Sequence, residues 1–120
     1  MFEEELQMGD CIFCKLANGE IPTEMVYEDD FVAAFKDLNP QAPVHILVVP
    51  KKHYNNILDV ENGDDIIAKI YSAINVIAKK ENIDKSGFRV ITNCGEDAGQ
   101  TVMHMHFHII AGRKLGDKIV

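Results

Sequence analysis

Three of the chain's five histidines occur at every second position, at His104, His106 and His108. Apolar residues stand between them, and this period-two alternation predicts a β-strand that carries the histidines on one face. Imidazole has its proton and metal chemistry near neutral pH, so the row is a candidate catalytic or metal-binding feature. Positions i and i+4 of a strand lie ~13 Å apart, so one metal ion cannot bind all three. The two ends of the row are therefore able to serve different purposes.

A second candidate feature is the pair Cys11 and Cys14, which is followed by Asn18-Gly19. The short apolar run with its glycine stop predicts a helix of one or two turns. On a helix the two cysteines share a face, so both sulfurs could reach one ion. The alternatives are a redox pair and two buried thiols. A redox pair of this spacing usually follows a strand, and no strand is predicted before Cys11.

The elements that must position these residues follow from apolar periodicity. Apolar residues at helical spacing predict one long helix over residues 63–81. We expect the apolar face of the histidine strand to pack under this helix and the histidine face to stay open. The elements together predict an α+β fold, with a five-stranded, mainly antiparallel sheet, one long helix and a short N-terminal helix. The other predicted strands are residues 25–28, 31–35, 44–49 and 88–92, and the packed apolar residues are Met103, Met105, Phe107 and Ile109.

Composition restricts the classes of partner. The chain has 120 residues, enough for one domain, and its 12 basic and 19 acidic residues give a formal charge of −7. We therefore expect no sequence-independent attraction to nucleic acid or anionic membrane, so any bound phosphate needs local donors. We expect no membrane span or signal peptide. The odd number of cysteines argues against disulfides and predicts a cytoplasmic protein.

Several separated blocks of the sequence resemble the histidine triad (HIT) family. They are Cys11 to Lys15, Asp37 to His53, the turn from Asn93 to Gln100, and the His-x-His-x-His run itself. Ala111-Gly112-Arg113 is similar to the Hint branch, the purine nucleoside phosphoramidase group. The resemblance implies a single HIT domain over residues 1–120, with residues 1–10 a loose extension.

The resemblance implies that His106 is a nucleophile that attacks the α-phosphorus of a nucleotide and forms a nucleotidyl-histidine intermediate. A neutral imidazole is a good nucleophile at neutral pH, and its other nitrogen needs an acceptor, such as a backbone carbonyl, to fix the tautomer. His108 and His45 would supply charge to the phosphate oxygens. Thr101 offers a hydroxyl where relatives often have serine.

The nucleotide site implied by the resemblance includes Asp37 as acceptor for the ribose hydroxyls and Asn93 near the reacting phosphate. Both residues are also common turn formers, so a purely structural role is the alternative for each. The full implied set is Asp37, Leu38, Asn93, Gly99, Gln100, Thr101, His106 and His108.

The resemblance also implies structural zinc bound by Cys11, Cys14, His53 and His104. Two thiolates and two imidazoles form a tetrahedral zinc set in which protein fills every position. The chain would have to bend after Pro50 for His53 to reach the metal. The alternative is that the two cysteines are buried thiols without metal.

The implied activity is hydrolysis of adenosine 5′-phosphoramidates and related purine nucleotide conjugates by a homodimer. One alternative is a Fhit-like hydrolase of dinucleoside polyphosphates. Another is a nucleotide-sensing or scaffold protein whose hydrolysis is incidental, and a third is a plain zinc-binding interaction module. The C-terminal tail from Lys114 to Val120 contains no aromatic residue, unlike eukaryotic Hint proteins, so the preferred leaving group stays open.

Overall fold

Strand β3, Val44–Pro50, is the centre of the sheet and is buried on both faces. The computed structural model describes residues 11–119, so the predicted N-terminal extension, residues 1–10, lies outside the described residues. The sheet has the order β1-β2-β3-β5-β4, and every neighbouring pair is antiparallel. This architecture confirms the predicted α+β fold. The other strands are β1 Met25–Glu28, β2 Val32–Lys36, β4 Arg89–Ile91 and β5 Phe107–Ala111.

Two helices pack on opposite faces of this sheet: α1, Ile12–Ala17, and α2, Ile66–Lys80. The apolar stripe of α2 is buried, as its spacing predicts. Asp64 fixes the start of α2 because its carboxylate accepts the Ile66 N–H at 2.9 Å and the Tyr54 hydroxyl at 2.7 Å. Short 3₁₀ turns occupy Ile57–Asp59 and Glu96–Ala98.

Alternate residues of β3 supply the two halves of the core. Ile46 and Val48 belong to the apolar cluster under α2, whereas Leu47 and Val49 belong to the cluster under α1. Because β-branched and aliphatic side chains fill both faces, this strand reads as a continuous apolar run. We predicted that the sheet face opposite α2 is open. This prediction is wrong, because α1 partly covers that face.

The histidine strand begins later than the sequence predicts. Strand β5 starts at Phe107, so His104 and His106 precede the sheet and lie in an irregular but buried segment. In this segment the Met105 N–H donates to the carbonyl of Tyr54 at 2.6 Å rather than to a neighbouring strand. A side-chain alternation predicts extended backbone, but it does not say where sheet pairing begins.

The apolar side of this segment packs largely as expected. Met105 and Ile109 are buried in the cluster under α2, and Phe107 packs against it. The prediction is wrong for Met103, whose side chain is 49% exposed. Met103 precedes the segment that enters the core, so no apolar surface is available there for its side chain to pack against.

Within residues 11–119, we find no helix with the length and apolar content to cross a membrane.

Candidate functional site

A cavity of about 500 Å³ lies between α1 and the sheet. Most of its wall is apolar, and the polar residues Thr101, His106 and His108 also border it. This volume and this mixture of an apolar wall with a few polar groups are typical of small-molecule sites. The apolar lining residues are Ile12, Phe13, Leu16, Ile21, Pro22, Phe35, Leu38, Leu47 and Val102.

His106 is held in one tautomer by the backbone. Its Nδ1 lies 2.7 Å from the carbonyl oxygen of His104, so Nδ1–H donates this bond and Nε2 keeps its lone pair. The acceptor that a nucleophilic histidine requires is therefore present. The hydroxyl of Thr92 donates to the His106 carbonyl at 2.8 Å, and the ring of Phe13 packs edge-on at 4.9 Å between centroids. These contacts fix the residue at the cavity wall.

His108 is bonded to His45 in a chain that begins at a backbone amide. The Gln41 N–H donates to His45 Nδ1 at 3.0 Å, so the proton of a neutral His45 is on Nε2. His45 Nε2 lies 2.8 Å from His108 Nδ1 and 3.4 Å from a carboxylate oxygen of Asp37. His108 thus accepts at Nδ1, which leaves its Nε2–H as a donor on a residue that lines the cavity.

Burial lowers the pKa of His108, and the neighbouring His106 and His45 lower it further, against the opposing effect of Asp37. A neutral His108 can donate a hydrogen bond to a phosphate oxygen but brings no full positive charge. Both ring nitrogens of His45 have protein partners, and His45 does not line the cavity. His45 therefore positions His108 in this structure, and the direct phosphate contact of His45 stays a prediction.

Asp37 and Leu38 border the same cavity. One carboxylate oxygen of Asp37 accepts the Asn39 N–H at 2.8 Å, so Asp37 forms a turn and also lines the site. The side chain of Leu38 is fully exposed. The loop after β2 therefore forms one rim of the cavity.

Asn93, Gly99 and Gln100 are not among the residues that line this cavity. The Gln100 side chain accepts the Gly95 N–H at 2.8 Å and donates to the carbonyls of Asn55 and Val102. Gly99 has a φ of +82° after the second 3₁₀ turn, a left-handed conformation that favours glycine. Their nucleotide contacts remain predictions, and these bonds give Gln100 a structural role of its own.

The four predicted metal ligands come together on the other side of α1. Ligand atoms of Cys11, Cys14, His53 and His104 all lie within 4.8 Å of one another. Cys14 Sγ lies 3.1 Å from His53 Nδ1 and 3.3 Å from His104 Nδ1. The predicted bend after β3 is what brings His53 to this cluster.

The surroundings of the cluster suit a soft or borderline cation such as Zn²⁺. His53 Nε2 donates to the Asn55 side chain at 2.9 Å and His104 Nε2 donates to the Pro50 carbonyl at 2.8 Å. Both imidazoles therefore keep an Nδ1 lone pair beside the thiols, the arrangement found around zinc-binding histidines. Burial, followed by the hydrogen bond to Cys11, raises the pKa of the Cys14 thiol to about 12, and burial lowers the pKa of His104 to about 4. A dication here would reverse the first effect, because a coordinated thiol loses its proton.

Asp37, His45 and His108 form a second group of close ligand atoms. Here the Gln41 N–H occupies His45 Nδ1, so His45 Nε2 carries a proton where a metal would need a lone pair. The group is therefore arranged as a hydrogen-bonded chain, in contrast to the cysteine cluster.

Comparison with known proteins identifies the fold. Residues 18–115 match the model of the HIT domain. The chain belongs to the HIT family. A histidine triad protein from Clostridium difficile is 60% identical, with a TM-score of 0.88 over 91% of this chain and 96% of that one.

Two further HIT structures carry functional names. A HIT family hydrolase from Clostridium thermocellum is 44% identical, with a TM-score of 0.89 over 92% of this chain and 97% of that one. A histidine triad nucleotide-binding protein from Candida albicans is 30% identical, with a TM-score of 0.78 over 92% and 86% of the two chains. The chain thus has the fold of HIT hydrolases and nucleotide-binding proteins.

Sequence reasoning missed most of the cavity wall of this HIT protein. The cysteines are the distinctive residues of the short helix, but Ile12, Phe13 and Leu16, which lie between and after them, line the cavity. Lys36 also borders it. The sequence contains one signal for this wall, the two apolar residues between Cys11 and Cys14. A helix that directs two thiols to one side directs the residues between them to a different side.

Proposed function

We propose that this HIT protein is a nucleotide hydrolase that cleaves adenosine 5′-phosphoramidates and related purine nucleotide conjugates through a nucleotidyl intermediate on His106. The observation that carries the proposal is the state of His106. Its Nδ1–H is committed to a carbonyl, and it borders an apolar cavity large enough for a mononucleotide. The Hint-like sequence after the histidine run supports phosphoramidates as the substrate class.

In this proposal the apolar wall holds the purine base. The Asp37 carboxylate at the rim accepts from ribose hydroxyls, with Leu38 beside it. The α-phosphate then lies at the polar end, near His106, His108 and Thr101. Because the chain carries a formal charge of −7, these local donors must compensate for the absence of a long-range attractive field.

The reaction takes two displacements. His106 Nε2 attacks the α-phosphorus, a P–N bond to the imidazole forms, and the P–N bond to the leaving amine breaks. The amine takes up a proton from solvent as it leaves, and the Thr101 hydroxyl and His108 Nε2–H are the nearby groups that can stabilise this change. Water then attacks the same phosphorus and returns a proton to solvent, the bond to His106 breaks, and AMP is released with His106 restored.

We further propose zinc at Cys11, Cys14, His53 and His104, in a structural role. The metal would supply no open coordination position for chemistry, since protein fills all four. It would join α1 to the segment that carries His104 and His106. No disulfide joins the three cysteines among the described residues, which accords with the cytoplasm that we propose as the compartment of this protein.

A comparison of two substrates tests the activity. We expect purified protein to release AMP from adenosine 5′-phosphoramidate at a higher kcat/KM than from diadenosine tetraphosphate. The opposite order would support the Fhit-like alternative. AMP binding without turnover of either substrate would reject the hydrolase and leave the nucleotide-sensing alternative.

A further inference from the structure

Helix α1 contributes to the metal cluster and to the nucleotide cavity at the same time. Cys11 at its N-terminus and Cys14 one turn later supply both thiols of the cluster. Ile12, Phe13 and Leu16 line the cavity. A shift of this helix away from the cluster would therefore move part of the cavity wall.

This helix is too short to be stable alone. It has six residues, and isolated helices shorter than ~12–15 residues are marginal in water. Its first turn is capped by Cys11 Sγ, which accepts the Cys14 N–H at 3.3 Å. At its other end, the Asn18 side chain donates to the carbonyl of Lys51 at 3.1 Å. The burial of Phe13 and Ala17 and the contacts of the two thiols also hold the helix in place.

Phe13 connects the two sites directly. Its ring packs edge-on against His104, a residue of the metal cluster, at 6.1 Å between centroids. It packs edge-on against His106, the proposed nucleophile, at 4.9 Å. Phe13 is buried, so its ring has little room to move independently of either histidine.

The turn after α1 extends the same wall. The carbonyl of Lys15 accepts the N–H groups of Glu20 and Ile21 at 2.9 and 3.2 Å. Ile21 lines the cavity. The position of α1 thus also sets the position of the segment that closes this side of the cavity.

We propose that metal at the cysteine cluster sets the affinity of the cavity for nucleotide, because both depend on the position of α1. The metal and the nucleotide each favour the docked helix, so each strengthens binding of the other. Phe13 is a positioning residue in this coupling. The inference rests on the proposed function only in taking a purine mononucleotide as the ligand.

Hydrogen exchange tests the helix without any nucleotide. Zinc-loaded protein and protein stripped by a chelator are compared by mass spectrometry, with metal content measured for both. We expect removal of zinc to increase exchange in residues 12–21 and to leave α2 and β3 protected. Unchanged exchange in residues 12–21 would overturn the inference. Equal loss of protection over the whole chain would also overturn it, since zinc would then hold the entire fold.

Calorimetric titration with AMP tests the coupling itself. We expect removal of zinc to weaken AMP binding by roughly fivefold to a hundredfold, the usual range for coupled sites. Saturating AMP must then raise zinc affinity by the same factor, since coupling free energies are reciprocal. AMP added to the competing chelator alone corrects for zinc that AMP itself binds. Equal AMP affinity with and without zinc would overturn the coupling.

Two cysteine variants provide a matched comparison. Cys14→Ser removes a thiol of the cluster, whereas Cys94→Ser removes the thiol of a cysteine that does not belong to it. We expect the first variant alone to reproduce the loss of AMP affinity, and equal effects of both would contradict the inference.

Phe13→Leu keeps an apolar wall without the ring, and should retain zinc while reducing the coupling factor. If zinc-loaded protein binds no AMP, the proposed function fails, and the exchange experiment still decides whether metal positions α1.

Discussion

At the scale of single residues, His104, His106 and His108 differ in what each ring nitrogen contacts. His104 presents Nδ1 to the thiols, His106 donates Nδ1–H to a carbonyl, and His108 accepts at Nδ1 from His45. Three identical side chains at alternate positions therefore reach three chemical states. We expect three different phenotypes when each is removed.

The alanine variants test this assignment. His106→Ala should lower kcat by on the order of a thousandfold or more, as loss of a catalytic nucleophile does. His108→Ala should lower it by ~10²–10³, the effect of removing one stabilising donor. His104→Ala should act through zinc content and melting temperature. Equal losses of kcat in all three, with unchanged zinc, would contradict the division of roles.

The titration of His108 gives a prediction about pH. Burial lowers its pKa from the ordinary value of 6.5, so the unfolded chain binds this proton more readily than the folded one. The contribution of His108 to stability is therefore present above pH 6.5 and is lost as the pH falls below it. Nuclear magnetic resonance of the ring protons should show a midpoint below 6.5. His45→Leu should raise that midpoint, and a wild-type midpoint at or above 6.5 would contradict the assignment.

At the scale of elements, the sequence predicted α2, β3 and the antiparallel sheet because each has a local signal. Ile66, Ile70, Ile74 and Ile77 recur at helical spacing, and β3 is almost entirely aliphatic and β-branched. The start of β5 was not predictable in this way. The backbone of residues 104–106 bonds to the Tyr54 region and to itself, and such long-range choices leave no trace in a period-two pattern.

The candidate site was predictable to a similar degree. The cluster of cysteines and histidines and the histidine run are predictable because their residue types are chemically distinctive and because both resemble motifs of the HIT family. The cavity wall was missed because Phe13 and Leu16 read as ordinary core residues, and only the placement of α1 against the sheet makes them lining residues. The role of Gln41 was also missed, since its backbone amide, not its side chain, contacts His45.

A further prediction at the scale of elements concerns the metal cluster, which α1 forms together with the neighbouring segments. Protein purified without added metal should contain one zinc per chain and lose melting temperature in chelator. Because the Cys14 thiol has a pKa of about 12 without metal, zinc must displace its proton, so zinc affinity should fall as the pH is lowered. Cys14→Ser should lower stability more than it lowers kcat. Negligible zinc together with an unchanged melting temperature would reject the metal site.

At the scale of the whole molecule, α2 leaves apolar side chains in solvent. Ile67 and Tyr71, one turn apart on the same flank of this helix, are 41% and 67% exposed on the described chain. Apolar surface of this kind on a helix is often an interface between proteins. The homodimer remains a prediction from family resemblance, and these residues are the surface that we expect it to use.

Light scattering at micromolar concentration tests the dimer. We expect a mass near twice the 13.5 kDa of the chain. Tyr71→Glu should shift the protein toward monomer, because burial of an unpaired charge opposes association. Asn62→Glu adds the same charge at an exposed position before α2 and serves as the control. A monomeric wild-type protein would refute the prediction.

The central claim is that His106 forms a covalent bond to the nucleotide. Protein mixed with adenosine 5′-phosphoramidate is quenched during turnover, digested and analysed by mass spectrometry. We expect an adenylyl adduct on the peptide that contains His106, with fragmentation placing it on that residue, and no adduct in His106→Ala. Full activity of His106→Ala, or an adduct located on His104 or His108, would contradict the mechanism.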